Sequence, residues 1–166
     1  MSRLLIALLL ACVLPVHAAE VRLLQWAELI PEGAPPPPPP LAIHDMSQLA
    51  DALAAEAGPA AAQQSPAAPV VEALDGQMVK LPGYIVPLEG RVTEFLLVPY
   101  FGACIHVPPP PSNQIVHATS ELGVRVDALY EPFWIEGPLS VEHASSELAE
   151  AGYRMQAQKI YPYELQ

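Results

Sequence analysis

The stretch "VTEFLLVPYFGACIHVPPPPSNQIVH", Val92 to His117, decides how the chain folds. Read as extended chain, its side chains alternate between two faces. Phe95, Leu97, Pro99, Phe101, Ala103, Ile105 and Val107 fall on one face, and all are apolar, so this face is predicted to turn toward a core. Glu94, Tyr100, Cys104 and His106 fall on the other, whose start also carries Leu96 and Val98. Pro108 to Pro111 cannot donate to a sheet ladder, so the chain should leave the sheet as a stiff loop and return at Gln114.

The segments around it read the same way. "QMVKLPGYIVPLEG" predicts a strand bent at Pro82-Gly83 and Pro87, "NQIVHATS" and "PFWIEGPLSV" two more, and "YRMQAQKIYPY" a last one that closes the chain. "SSELAEAGY" reads as a short helical turn or loop. These connections leave no room for the helices of a parallel α/β sheet, and a flat sandwich would want more strands. The expected fold is therefore mainly β, a small OB-like five-stranded barrel over residues 70–166, with glycines where the strands curl.

Residues 19–69 have another character, rich in Ala and Pro. "VRLLQWAELIPEG" gathers Trp26, Leu29, Ile30 and Pro31 into an apolar cluster, read as a turn packed on the chain's own core, with Trp26 as an alternative contact for a partner. Six prolines, Pro35 to Pro40, predict an extended spacer. "HDMSQLADALAAEAG" has helical spacing of Met46, Leu49 and Leu53, capped by Asp45 or Ser47 and ended at Gly58. The arm thus comprises a spacer and one short helix, followed by a second Ala/Pro linker.

The first residues, "MSRLLIALLLACVLPVHAAE", have the layout of a secretory signal peptide over 1–18, with the cut after Ala18. A lipoprotein box ending at Cys12 is the lesser alternative, because Leu10 fits such a box poorly. Both readings export the protein, and the bacterial periplasm is the expected compartment. No later segment is long and apolar enough to span a bilayer as a helix. Loss of the leader would leave Cys104 as the one mature cysteine, so no internal disulfide is expected. A formal net charge of -11 with only seven Lys and Arg argues against nucleic acid as a partner, since phosphate neutralisation needs clustered cations.

Cys104 and His106 stand two residues apart, ~6.6 to 7 Å between Cα atoms on a strand, close enough for both side chains to reach one ion. His117 on the returning strand could face the same place, with Glu94 and Asn113 as further oxygen donors. Three readings stay open. The first is a zinc or copper site on Cys104, His106 and His117. The second is a thiol enzyme or redox sensor with His117 as base. In the third, Cys104 is merely a packed small side chain. An enzyme gains little support, since Cys-x-x-Cys, Gly-x-Ser-x-Gly and His-Glu-x-x-His are all missing from the sequence.

"WAELIP" (26–31), "LDGQMVKLPGYIVPLEG" (74–90), the opening stretch and "GYRM" (152–155) resemble a family of bacterial exported proteins known as domain of unknown function 3299. The resemblance implies a periplasmic accessory role in zinc handling, beside metal-transport proteins, with no established enzymatic activity. It places the family's central motif on Phe101 to His106, Pro108 to Pro111, Asn113 and Gln114. The expected function is a periplasmic binding or accessory protein, with Cys104, His106 and His117 as metal ligands and Glu94, Tyr100, Asn113, Gln114 and Trp26 as binding residues. An envelope interaction module without metal, using the proline loop and the Trp26 arm, is the alternative.

Overall fold

The computed structural model describes residues 20–36, 67–88, 92–105, 109–124 and 130–163. The predicted leader and its Cys12 alternative, the spacer beyond Pro36, the helix over 44–58, most of the second linker, and His106 lie outside the described residues.

Strands make up the regular structure of what is described: β1 (Arg22–Leu23), β2 (Met78–Pro87), β3 (Val92–Val98), β4 (Val116–Val124), β5 (Pro132–Ser140), β6 (Ala144–Ser145), β7 (Glu150–Ala151), β8 (Tyr153–Gln156) and β9 (Lys159–Pro162). The helical pieces among these residues are short 3-10 turns, at Trp26–Leu29, Glu72–Leu74 and Ser112–Gln114.

Five strands close a ring. β2 pairs antiparallel with β3, β3 antiparallel with β4, β4 parallel with β8, β8 antiparallel with β5, and β5 antiparallel with β2. Numbered one to five along the chain, their order round the barrel is one-two-three-five-four, with the third and fifth parallel. This is the closed OB-like barrel the sequence predicts.

β2 makes the closure possible by serving both neighbours. Met78 to Tyr84 pair with β5, and Tyr84 to Pro87 pair with β3, so the strand curls through Pro82-Gly83. A Cβ on Gly83 would sit 2.8 Å from both Leu97 Cδ1 and the Val98 carbonyl oxygen, so only glycine lets the strands approach this closely.

Alternation fills the interior. Val79, Leu81 and Ile85 from β2, Phe95 and Leu97 from β3, Val116 and Ala118 from β4, Phe133, Ile135 and Leu139 from β5, and Tyr153 and Met155 from β8 form one buried cluster. One end is plugged by Leu24 and Leu29 of the N-terminal arm and by Leu74. At ~25 cal/mol per Å² of apolar surface, this shared core is the main stabilising term.

Three expectations are corrected. The long strand predicted through Val107 stops at Val98. Pro99 has no N–H to continue the ladder, and residues 99–105 turn instead. Phe101 and Ile105 accordingly lie outside the core, and Ala103 belongs to a second cluster. The single last strand is two, β8 and β9. Between them the Ala157 N–H reaches the Thr119 carbonyl while the Gln158 N–H reaches that of Glu136, so the chain crosses from one side of the barrel to β5. The helical turn or loop read in "SSELAEAGY" contains the β6–β7 ribbon, because the Ser146 hydroxyl accepts the Ala149 N–H and tightens a hairpin turn.

Candidate functional site

On the outer face of β3 and β4 the candidate residues divide. Cross-strand partners share a face, so His117 lies beside Leu96 on one side and Arg154 on the other. Glu94, two residues before Leu96, shares that face, and its Oε1 lies 2.9 Å from His117 Nε2. His117 is buried while the Glu94 carboxylate is half exposed. The carboxylate thereby orients a buried imidazole on the barrel wall.

Next to this pair, Leu96 and Val98 are roofed by the 99–105 turn and the β6–β7 ribbon. Val86, Ala103, Cys104, Ile115, Ala144, Ala149 and Ala151 complete this second apolar cluster, with Tyr84, Leu88, Tyr100 and Leu148 packed against it. In an OB barrel the outer face of the second and third strands is where oligonucleotides and oligosaccharides lie. Here the chain's own turn covers part of that face.

The turn owes its shape to two left-handed residues, Gly102 (φ 84) and Cys104 (φ 65), with the Ile105 N–H donating to the Gly102 carbonyl at 3.2 Å. For a non-glycine residue that conformation costs about 1–2 kcal/mol. The cost is offset by burial of the cysteine side chain, which is 6 % exposed. Anchoring Cys104 inward leaves Phe101 (50 % exposed) and Ile105 (42 %) pointing outward on either side. The Phe101 ring also meets Tyr84, with centroids 6.2 Å apart.

Burial pushes the Cys104 thiol up from 9.0 to about 12. Tyr100 is raised too, first by burial and then by its proximity to Cys104. The nucleophilic form of cysteine is the thiolate, and burial of Cys104 disfavours that form. Two consequences are measurable. Iodoacetamide at pH 8 should alkylate the folded chain at least ~100-fold more slowly than the unfolded chain, as expected for a thiol shifted by about three units. The second concerns stability. Since the folded state holds this proton more tightly, the contribution is fully present below pH 9 and declines as pH rises toward about 12. The slope is ~1.4 kcal/mol per unit, seen as the difference between wild type and Cys104→Ala in denaturant titrations.

Among the described residues, no group of three or more His, Cys, Asp or Glu side chains could hold a metal ion. Cys104, Glu94 and His117 therefore do not converge by themselves, and the predicted ligand set depends on His106.

Asn113, Gln114 and Trp26 are turned toward the chain itself. Asn113 Nδ2 donates to the Pro69 carbonyl at 2.9 Å, Gln114 Nε2 donates to that of Trp26 at 2.9 Å, and Trp26 Nε1 donates to that of Pro82 at 2.6 Å. Pro109 and Pro110 are buried as well, so this part of the proline loop is a wall of the fold, contrary to the exposed contact surface expected of it. Sequence reasoning missed Tyr153, whose fully buried hydroxyl accepts the Val71 N–H at 2.7 Å and donates to the Leu29 carbonyl at 2.8 Å. It also missed the outward pair Phe101 and Ile105. The positive φ that produces them has a sequence signal only in the Gly102 beside them.

Barrel and covered face thus define a small OB-type protein whose β3–β4 outer face is partly roofed by its own chain. Residues 26–162 match the family described as protein of unknown function (DUF3299), and the chain belongs to that family. A crystal structure of a DUF3299 family protein from Pseudomonas aeruginosa PAO1 is 67% identical in sequence, covering 89% of this chain and 99% of that one, with a TM-score of 0.77. No curated protein matches the chain.

Proposed function

We propose that the protein is a non-catalytic binding module of the bacterial envelope that docks on a partner protein through the 99–105 turn. The observation that carries this reading is the turn itself: a buried Cys104 in a left-handed conformation holds Phe101 and Ile105 outward. Apolar side chains fixed on a rigid turn lose little entropy on binding, which favours a partner with a matching apolar pocket. The leader-like residues 1–18 support the envelope as the place, and the low count of Lys and Arg leaves nucleic acid out.

The test is site-specific photo-crosslinking from position 101 in cells, with position 23 as control because Leu23 is an exposed apolar residue paired with Lys80, toward the other end of β2 from Tyr84 and Phe101. One defined adduct should form from position 101, and Ile105→Ser should reduce it at least ~10-fold without changing Tm, as loss of a hot-spot side chain does. Equal labelling from both positions, insensitive to Ile105→Ser, would refute the reading.

A second reading, zinc handling, draws on the Glu94–His117 pair at 2.9 Å, the carboxylate–imidazole arrangement that orients metal-ligating histidines. His106 and Cys104 would complete that ligand set, with zinc favoured over copper by the resemblance already described.

A further inference from the structure

The N-terminal arm is held on the barrel as a ligand is held. Residues 22–23 add a parallel strand to β2, with Arg22 opposite Val79 and Leu23 opposite Lys80, and the Leu24 N–H donates to the Lys80 carbonyl at 2.9 Å. Leu24 and Leu29 enter the end of the barrel and are wholly buried. Between them the Trp26 indole reaches the Pro82 carbonyl, while Gln114 and Tyr153 grip the Trp26 and Leu29 carbonyls. Main-chain pairing along a strand, side-chain pockets at intervals and polar clamps on peptide carbonyls are the elements of peptide recognition by strand addition.

The segment also carries its own local order. Glu28 accepts the Gln25 N–H at 2.8 Å and pairs with Arg22 at 2.8 Å, closing the 3-10 turn upon itself. The chain that returns at Ala68 has hydrogen bonds of its own and shares one partner, the Tyr153 hydroxyl, with the arm. Ser112 Oγ accepts the Ala68 N–H, Asn113 holds the Pro69 carbonyl and Tyr153 accepts the Val71 N–H. Each end of the intervening residues 37–66 thus has its own attachment to the barrel.

We propose that the groove occupied by residues 20–36 is a peptide-binding site filled in cis, and that once the chain is cut within residues 37–66 it accepts the same segment from a second copy of this chain. In the intact chain the covalent link makes the arm's binding intramolecular, so the arm of a second copy does not compete with it. Cutting the link leaves the arm held by its own affinity. This inference is independent of the partner surface at Phe101 and Ile105.

The experiment uses the full chain with a site-specific protease sequence inserted between residues 37 and 66. Cut ¹⁵N-labelled and unlabelled preparations are mixed at micromolar concentration and followed by native mass spectrometry, with uncut chains as control. Hybrid species carrying an arm of one isotope and a barrel of the other should appear after cutting, faster than global unfolding, and not before it. Against a labelled synthetic peptide of residues 20–36, Leu29→Ala in the peptide should weaken incorporation at least ~30-fold. Leu23→Ala should change it less than ~3-fold, because Leu23 is 58 % exposed. Arms that never exchange, that exchange only at the rate of global unfolding, or whose release unfolds the barrel would overturn the proposal. So would equal effects of the two peptide substitutions.

Discussion

Gly137→Ala is expected to lower Tm by roughly 10 °C or more, a loss of about 3 kcal/mol. Gly137 sits in β5 where the strand changes partners, from β9 at Phe133 to Glu136 to β8 at Leu139 and Ser140. A Cβ there would lie 2.9 Å from the Gln156 carbonyl carbon and closer still to its oxygen. Both are backbone atoms on the crossing between β8 and β9, so no side-chain rotation relieves the clash. The next residue, Pro138, brings no N–H to this corner. Gly33→Ala is the control. Its φ of 80 carries only the ordinary left-handed cost of about 1 kcal/mol, and nothing lies within 4 Å of the added carbon. Equal shifts in thermal melts of the two variants would contradict the described closure of the barrel.

Tyr153→Phe should cost about 2–3 kcal/mol, since a part-buried N–H and a buried carbonyl each lose their partner. The hydroxyl joins Val71 of the returning chain to Leu29 of the arm, two segments that flank residues 37–66 in sequence. Tyr130→Phe provides the comparison, since Tyr130 is 67 % exposed and loss of its hydroxyl should cost less than ~0.5 kcal/mol. Chemical denaturation would show the two differing. Hydrogen exchange should further show that Tyr153→Phe loosens Leu24 to Leu29 more than β3. A uniform loss across the protein would mean that Tyr153 contributes only as a core side chain.

How much of this was legible in the sequence followed from periodicity. In β2 and β5, inward and outward residues alternate because one face of each lies in the barrel, and the reading of Phe95 and Leu97 as core held for the same reason. The same alternation misled beyond Val98, where it assigned Phe101 and Ile105 to the core. Extended geometry ends at Pro99, and a left-handed Cys104 reverses which side chains face inward. The break between β8 and β9 falls at Ala157-Gln158, without glycine or proline, so its cause is visible only in the carbonyls that the two amides reach.

Burial of the Cys104 thiol and the inward hydrogen bonds of Asn113 and Gln114 depend on distant segments. Polar side chains next to prolines look like surface binding residues in a sequence. Here they hold the carbonyls of Pro69 and Trp26, groups 44 and 88 residues away. Such pairings leave no periodic trace.

The central claim is that Cys104 is an anchor that shapes an outward-facing docking turn. The most direct measurement is elemental analysis of untagged protein spanning residues 19–166 and of its Cys104→Ser variant, before and after zinc titration, with Tm recorded for each. The account predicts no near-stoichiometric zinc or copper and the same small loss of Tm in Cys104→Ser with or without added zinc. Stoichiometric metal that disappears in Cys104→Ser, with a loss of Tm seen only in metal-replete protein, would contradict it and establish the cysteine as a ligand.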